Sequence, residues 1–546
     1  MLQFSEIAVP LKDGKNEESC LAAARRRLAA SFHLAKDDIR EISLYRKSVD
    51  ARKKNNVHFT LSVRVRMADD AAEERYLATL APRDRRSVVA VTKQTPTFPQ
   101  PISIPSAQRP VVVGAGCAGL FAALTLAHAG LQPLLVERGD SATRRSLAIE
   151  AFHRTRQLDL ESNIQFGLGG AGTFSDGKLA TGTKNPAHRL ILQTLVEYGA
   201  PRNILWDAKP HIGSDILPVV VQNIADAIVE MGGEVRFRTR LTDIELDSAN
   251  AINAIELNDE ERIQCSHLVL ACGHSARDVF ELVRNKGIAI ARKTFAMGVR
   301  IEHLQADIDR AQYGSAAGHP ALGAAPYGLV AHCDNGRSLF SFCMCPGGQV
   351  VAAASETGGV VTNGASLNAR AGKNANSALL VNITPQDLEG DNPLAGVELQ
   401  RKCERAAFSA GGENYTAPAQ LVGDFLAGKP STEPCGVAPT YPLGVAWGTI
   451  ESLLPFHVID TLRRGIPALD RKLHGFNDRK AVLTGVETRS SSPVQITRDR
   501  SCHAIRTPGL YPCGEGAGYA GGIMSAATDG IRCAQALIHD LEAQRA

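Results

Sequence analysis

Residues 111–140 read VVVGAGCAGLFAALTLAHAGLQPLLVERGD, and this stretch decides the fold of the chain. A hydrophobic run enters a glycine turn, a helix of small residues follows, and a second hydrophobic run ends on Glu137. Gly114, Gly116 and Gly119 have the G-x-G-x-x-G spacing. That spacing permits a tight turn, a close approach to a pyrophosphate, and close helix–strand packing. The pattern predicts the first strand–helix–strand unit of a dinucleotide-binding, Rossmann-like α/β domain.

The acid at the end of this unit suits a nucleotide ribose. Glu137 follows the second strand, where a carboxylate can accept hydrogen bonds from ribose hydroxyls. The same charge disfavours a ribose 2′-phosphate, because two like charges would meet. The helix N-terminus offers free N–H groups to phosphates. This unit alone leaves two ligands open: NAD(P) as a passing substrate, or FAD as a resident cofactor.

Three later stretches bear on that choice. The first, FGLGGAGTFSDGKLATGT (166–183), is a glycine-rich loop whose backbone can lie against a planar or phosphorylated ligand. The second, HLVLACGHSARD (267–278), is a buried strand that ends in small residues, as crowding around an adenosine would require. The third, GLYPCGEGAGYAGGIMSAATDGIRCAQAL (509–537), returns to glycine-rich motif material near the C-terminus. A simple NAD dehydrogenase has no need of that returning segment, so the sequence favours FAD.

The sequence resembles the family of uncharacterised FAD-dependent dehydrogenases, within the glutathione-reductase-like flavoprotein superfamily. The motifs that carry the resemblance span nearly the whole chain: VVVGAGCAGLFAAL, GLGGAGTFSDGKL, TFAMGVRIEH, SFCMCPGGQVV, ETRSSSPVQI and LYPCGEGAGYAGGIMSAA. The resemblance implies tightly bound FAD and an oxidoreductase role. It also implies that Glu515, where many relatives carry Asp, contacts the ribityl–phosphate region. The helix that follows would point its N-terminus at the flavin pyrimidine carbonyl.

These stretches together predict a set of cofactor-binding residues. The set is Gly114, Ala115, Gly116, Cys117, Ala118, Gly119, Glu137, Arg138, Gly169, Gly170, Ala171, Gly172, Ser175, Asp176, Gly177, Lys178, Leu241, Ala271, Cys272, Gly273, Gly514, Glu515, Gly516, Ala517, Gly521, Gly522, Ile523 and Met524. FAD is the expected cofactor, with NAD(P)H as a candidate co-substrate. No metal site is expected.

The chain of 546 residues is expected to fold as several domains. Residues 1–95 predict an N-terminal α+β module, ferredoxin-like, in which NVHFTLSVRV alternates as a half-buried strand. A proline-rich linker follows at 96–108. Residues 109–285 and 487–546 form the predicted FAD-binding domain. Residues 286–486, rich in Gly, Ala, Ser and Pro with short strands and loops, predict an inserted β-rich substrate cap.

Candidates for catalysis are few. Cys343 and Cys345 would project to the same face of a strand, as a redox pair or as two structural cysteines. Arg489 could anchor a carboxylate or balance a reduced flavin, or form a structural salt bridge. His274 directly follows the Ala-Cys-Gly strand end and is the first candidate proton donor. Weaker candidates are His211, His303, His332 and Tyr441.

Composition limits the remaining choices. The net charge is +3, and no secretory signal or long apolar run is visible. Twelve cysteines are scattered along the chain without a C-x-x-C motif. These features predict a cytoplasmic protein without a membrane partner. The predicted function is hydride transfer between flavin N5 and a small organic substrate. The alternative is an RNA-modifying flavoprotein with the basic N-terminal module as its binding arm. That module lacks an aromatic motif for base stacking, which argues against nucleic acid.

Overall fold

The computed structural model describes residues 1–92, 96–102 and 109–544. The predicted linker at 96–108 therefore lies partly outside the described residues. The N-terminal elements are β1 (Leu2–Pro10), α1 (Glu17–Phe32), β2 (Glu41–Asp50), β3 (His58–Arg66), α2 (Asp70–Thr79) and β4 (Val88–Ala90). Their strands form an antiparallel sheet in the order β2-β3-β1-β4. Alternate residues of β3 are buried, as the alternation in the sequence predicts.

The second group of elements begins at the glycine turn. It contains β5 (Val111–Val113), α3 (Cys117–His128), β6 (Leu134–Val136), α4 (Ala142–Thr155), α5 (Ala187–Glu197), α6 (Leu217–Glu230), β7 (Glu234–Arg236), β8 (Leu241–Leu246), β9 (Ile252–Leu257), β10 (Glu261–Gln264), β11 (Leu268–Leu270) and α7 (Arg277–Asn285). The segment 234–246, which the sequence suggests is one strand, is divided into β7 and β8. These two strands belong to different sheets.

The third group carries the large sheet. It contains β12 (Ile290–Arg292), β13 (Phe295–Leu304), α8 (Gln305–Tyr313), β14 (Val330–His332), β15 (Ser338–Ala352), β16 (Thr362–Ala365), β17 (Asn374–Ile383), α9 (Ala395–Ala410), β18 (Ala417–Leu421), α10 (Val422–Ala427), β19 (Val445–Trp447), α11 (Phe456–Asp470) and β20 (Val482–Glu487). The expectation of short strands and loops is wrong here, because β13, β15 and β17 are long and four helices accompany them. A Cβ on Gly298 of β13 would lie 1.8 Å from the Leu379 carbonyl oxygen of β17, so glycine at this position allows the two strands to pack closely.

The chain then returns through β21 (Val494–Ile496), β22 (Leu510–Pro512) and α12 (Ile523–Ala543). Strand β22 pairs in parallel with β11, giving the five-stranded order β22-β11-β5-β6-β7. Helix α12 packs on α3 at a close approach, since a Cβ at Gly530 would lie 2.1 Å from the Ala118 carbonyl oxygen. The C-terminal segment is therefore an integral part of the nucleotide-binding sheet.

Gly114 and Gly119 show why this turn requires glycine. Gly114 has φ +96°, and a Cβ there would lie 2.5 Å from the Ala271 carbonyl oxygen. A Cβ on Gly119 would lie 1.8 Å from the Gly114 carbonyl oxygen. Any larger residue would push α3 away from β5 and β11. This packing brings the N-terminus of α3 to the carboxyl edge of the sheet.

Candidate active site

A cavity of about 430 Å³ opens at the carboxyl ends of β5, β6 and β11. The glycine-rich loop 166–182 and the large sheet form its other walls. Most of the predicted cofactor-binding residues line it: Gly114, Gly116, Cys117, Ala118, Glu137, Arg138, Gly169, Gly170, Ala171, Gly172, Ser175, Asp176, Gly177, Lys178, Leu241, Ala271, Cys272, Gly273, Glu515, Gly521, Gly522, Ile523 and Met524. Sequence stretches far apart in the chain thus meet around one space, at the strand edge where α/β sheets bind nucleotides.

The remaining predicted residues lie behind the cavity wall. They are Ala115, Gly119, Gly514, Gly516 and Ala517. A Cβ on Gly516 would lie 2.3 Å from the Gly273 carbonyl oxygen, so this glycine serves the packing of the wall. We infer that this group shapes the cavity through backbone packing.

The backbone N–H groups of three loops converge on Glu137. Its Oε2 accepts a hydrogen bond from the Ala115 N–H at 2.8 Å. Its Oε1 accepts from the N–H groups of Gly139 and Gly167, each at 2.9 Å. Each carboxylate oxygen has two lone pairs, so Oε2 still has room for a ribose hydroxyl. The acid therefore fixes the glycine turn and faces the cavity at the same time.

Arg145 holds the glycine-rich loop from behind, and sequence reasoning missed it. Its fully buried guanidinium donates to the carbonyls of residues 163, 164, 167, 168 and 170 over 2.7–3.3 Å. Burial lowers the pKa of Arg145 to about 10, with Glu137 opposing this shift, so the side chain stays charged at neutral pH. A signal was present: Arg145 lies on the buried stripe of α4 with Ala142, Ile149 and Phe152.

The walls leave open space where a flat cofactor would lie against bare backbone. A Cβ added at Gly273, Gly521 or Gly522 would meet no protein atom within 4 Å, although all three glycines line the cavity. Gly116 and Gly170 approach closely, since a Cβ on Gly170 would lie 3.0 Å from the Gly116 Cα. A cradle of glycines beside a helix N-terminus and a ribose-facing acid fits FAD.

Strands β15, β16 and β20 supply the face opposite the nucleotide fold. Cys343 and Cys345 both line the cavity from a bulged part of β15, and both are free thiols. Cys343 has φ +41°, and its carbonyl oxygen accepts from the Cys345 thiol at 3.1 Å. Burial raises the pKa of the Cys343 thiol to about 12. The pair is therefore neutral at ordinary pH, and the Cys345 sulfur also accepts a contact from Arg300 Nη2 at 3.8 Å.

Arg489 lines the cavity but its charge is already balanced. Its Nη2 lies 2.8 Å from Glu404, whose carboxylate Arg277 also reaches at 2.7 Å, and Glu356 supplies a second negative charge to both arginines. Burial opposes ionisation of Glu404, but the two arginines outweigh it and hold its pKa well below the usual range. Among the alternatives that the sequence left open for Arg489, this geometry favours the structural salt bridge.

His274 also lines the cavity, in a form that differs from the expected proton donor. Burial, reinforced by the charges of Arg489 and Arg277, lowers its pKa to about 3. Its Nδ1 lies 3.1 Å from the Ser275 hydroxyl, which donates to Gln165 at 3.0 Å. The imidazole is thus neutral at pH 7 and cannot supply a proton as an imidazolium.

Two buried acids complete the cavity. Glu487 at the end of β20 pairs with the fully buried Arg300, whose Nη1 lies 3.0 Å from Oε2 and 3.4 Å from Oε1. Burial raises the pKa of Glu487, with Arg300 opposing it. Burial raises the pKa of Glu515 to about 7, partly offset by the charge of Lys293. The sequence analysis missed Glu487, although it begins the quoted motif ETRSSSPVQI.

The weaker candidates lie away from the cavity lining. His303 is buried with its Nε2 2.8 Å from the Phe476 carbonyl oxygen, and His332 is an exposed partner of Ser338. Tyr441 is buried and donates to the Tyr415 carbonyl oxygen at 3.1 Å. The Nε2 atom of His211 lies 3.0 Å from the Asn368 carbonyl oxygen. These contacts are structural.

Comparison with known proteins identifies the class of this site. Residues 108–282 match the pyridine nucleotide-disulphide oxidoreductase family, residues 294–490 match "FAD-dependent protein, C-terminal domain-like", and residues 1–66 match a domain of unknown function. A protein of Clostridium beijerinckii described as uncharacterized is 42% identical over 99% of both chains. These matches, with the cavity, define the protein as an FAD-dependent oxidoreductase with FAD as its cofactor.

The chain belongs to the family of FAD-dependent proteins that carry this C-terminal domain. Two solved structures are more distantly similar. The halogenase PltM in complex with phloroglucinol and FAD is 10% identical, covering 80% of this chain and 70% of that chain with a TM-score of 0.36. The L-amino acid deaminase from Proteus vulgaris is 12% identical, covering 81% and 96% with a TM-score of 0.32.

The described residues contain no helix that is both long and apolar enough to cross a membrane.

None of the comparisons supports the alternative RNA-modifying function. Two lysines of the basic module are also used within the molecule. Lys47 Nζ donates to the Gly14 carbonyl at 2.7 Å, and Lys54 Nζ donates to the Gln312 carbonyl.

Proposed function

We propose that this oxidoreductase transfers a hydride between flavin N5 and a small organic substrate bound against β15, β16 and β20. The observation that carries the proposal is the single cavity in which the nucleotide-binding loops face Phe342, Asn363 and Glu487 of the large sheet. Bound FAD supplies the hydride chemistry, and the chain orients the substrate and handles its proton. NAD(P)H, in this proposal, is a transient reductant that enters through the same cleft.

The proton of the substrate is assigned to Glu487. His274 and the cysteine thiols are neutral, and Arg489 is paired with Glu404. Of the two buried acids in the cavity, Glu515 is expected beside the ribityl–phosphate region of the cofactor, so Glu487, which faces the cavity with a raised pKa, is left for the substrate. Its Oε1 is the oxygen farther from Arg300, at 3.4 Å, and is better placed to accept a proton. Arg300 keeps the carboxylate in place while the proton is held.

The proposed domain division follows the sheets. Residues 1–95 would form a ferredoxin-like module, which the strand order β2-β3-β1-β4 and the two helices support. Residues 109–285 and 487–546 would form the FAD domain, which the pairing of β22 with β11 supports. Residues 286–486 would form the substrate cap around β13, β15 and β17. The proposed cofactor-binding residues are those that line the cavity.

The test is an absorbance spectrum of the FAD-loaded protein, recorded anaerobically before and after addition of NADH and then NADPH. Loss of the oxidised flavin bands with either nucleotide supports the proposal and names the reductant. A flavin that resists both would remove NAD(P)H from the proposal and leave the organic substrate as the reductant. The variant Glu487→Gln should retain the oxidised flavin spectrum, since Glu487 is assigned to the substrate. Loss of FAD from this variant would contradict that assignment.

A further inference from the structure

Lys178 has an unusual orientation in the glycine-rich loop. Its backbone is fixed by pairing with residues 210–212, through Leu179 N–H to the Pro210 carbonyl at 2.9 Å and Ile212 N–H to the Gly177 carbonyl at 3.1 Å. The side chain is 32% exposed, yet its Nζ is buried and has no hydrogen-bond partner among the described residues. Lysines usually bury their methylenes and expose the ammonium, and Lys178 does the reverse.

The nearest carboxylate, Asp176, interacts with this charge but accepts no hydrogen bond from it. Asp176 is bound by Arg370 through Nε at 2.9 Å and Nη2 at 2.5 Å, and it also accepts from the Ser366 hydroxyl. Lys178 Nζ lies 3.8 Å from it, beyond hydrogen-bond range. Burial raises the pKa of Asp176, but the charge of Lys178, followed by that of Arg370, lowers it overall. Two cations therefore face one carboxylate, which leaves one positive charge over, and the ammonium of Lys178 lines the cavity without a hydrogen bond.

The neighbouring wall provides nothing to balance that charge. Burial raises the pKa values of the Cys343 and Cys345 thiols, and the charge of Lys178 is the largest influence that lowers them. Lys178 therefore lies beside β15. Glu487 is paired with Arg300. Buried ammonium groups with open donors are costly unless an acceptor arrives.

We infer that the substrate is an organic monocarboxylate whose negative group binds the ammonium of Lys178. This rests on the proposed function, because it places the substrate in the same cavity, and it moves Lys178 from the cofactor-binding set to the substrate site. Lys209 lies near Lys178 but does not line the cavity, so a single ammonium is presented to a ligand there. That ammonium matches one negative charge, whereas a phosphate dianion would leave charge uncompensated. The phosphate-binding features of the fold, Gly116 and the N-terminus of α3, lie against Gly170 at the nucleotide face.

The experiment titrates the FAD-loaded oxidised protein, without NAD(P)H, and follows the flavin absorbance. The probes are acetate and benzoate, the neutral benzamide, and inorganic phosphate. The variants are Lys178→Met, Lys178→Arg and, as a matched control, Lys184→Met, which removes an exposed charge from the same segment. FAD content and circular dichroism of each variant establish that it is folded and loaded.

The expected result is a spectral shift with a carboxylate that benzamide and phosphate do not produce. Lys178→Met should retain FAD and raise the carboxylate dissociation constant about tenfold or more, because a charge-assisted hydrogen bond is lost. Lys178→Arg should recover part of the affinity, and Lys184→Met should match the natural protein.

Three results would overturn the inference. They are loss of FAD from a folded Lys178→Met protein, equal or absent responses to the charged and neutral probes, and a response to phosphate alone. The proposed function is tested separately by reduction with NAD(P)H. A protein that binds carboxylates through Lys178 but is not reduced would retain this inference and lose only the reductant.

Discussion

Replacing Arg145 by Met should detach the glycine-rich loop from the rest of the nucleotide domain. The guanidinium donates five hydrogen bonds to loop carbonyls, and its site is fully buried, so water cannot readily replace it. At about 1 kcal/mol net for each bond, roughly 5 kcal/mol of interaction is lost. That is comparable with the lower end of the stability of a whole domain, about 5 kcal/mol. We expect the variant to lose bound FAD and to fold poorly.

Arg145→Lys separates charge from geometry. An ammonium has three donors, so it can satisfy at most three of the five carbonyls, and FAD binding should be only partly restored. Arg144→Met is the matched control, because Arg144 is the adjacent residue of α4 and is exposed. The assay measures FAD affinity by flavin fluorescence and amide hydrogen exchange over residues 163–172. Exchange in this segment should accelerate in the Met variant before it does elsewhere.

One result would refute this reasoning. If Arg145→Met bound FAD as tightly as Arg144→Met, with unchanged exchange across residues 163–172, the loop would be held by its own turns and not by the arginine.

Three further predictions concern buried acids and a histidine. Glu404→Gln should destabilise the protein by about 3–5 kcal/mol in denaturant unfolding, because it leaves two buried arginines short of a counter-charge; the exposed Glu398→Gln should be near neutral. The lowered pKa of Glu404 also means that its stabilisation is present above its ordinary value of 4.5 and is lost as the pH falls further. The pH dependence from Glu515 has the opposite sign, because its pKa is raised from 4.5 to about 7. The free energy of unfolding of the flavin-free protein should fall by about 3 kcal/mol as the pH rises from 4.5 to 7, and Glu515→Gln should abolish this dependence. His274→Ala should leave the pH profile of flavin reduction between pH 5 and 8 unchanged, since the imidazole is already neutral; loss of an inflection in that range would contradict the assignment.

The stretches that the sequence assigns to the nucleotide half of the site meet around one cavity, because their arrangement depends on close backbone approach. The glycine turn at Gly114 is recognisable from the spacing of its glycines in the sequence. Glu137 is recognisable because it directly follows the second hydrophobic run. The walls contributed by residues 166–182 and 509–537 could be predicted for the same reason. All of these stretches line one cavity or pack directly behind it.

The sequence did not predict the polar supports, because these depend on partners far apart in the chain. Arg145 and Arg144 are identical neighbours, and only the helical phase separates the buried one from the exposed one. Glu404 and Arg489 are 85 residues apart and meet only after α9 packs beneath the sheet. The state of His274 depends on those charges, so an imidazole that the motif suggests as an acid becomes neutral in the folded protein.

The return of the chain through β22 and α12 also sets the order of events during synthesis. The five-stranded sheet lacks its edge strand until residues 510–512 emerge, and Glu515 and the 521–526 wall of the cavity emerge later still. The four strands of the N-terminal sheet, by contrast, have all emerged once residue 90 has been translated. The nucleotide-binding sheet must instead wait, with the outer edge of β11 unpaired and α3 not yet covered by α12, through the translation of more than 200 intervening residues. Capture of FAD is therefore expected late, after β22, and a ribosome-bound chain that stops before β22 should be a client for chaperones and not a flavoprotein.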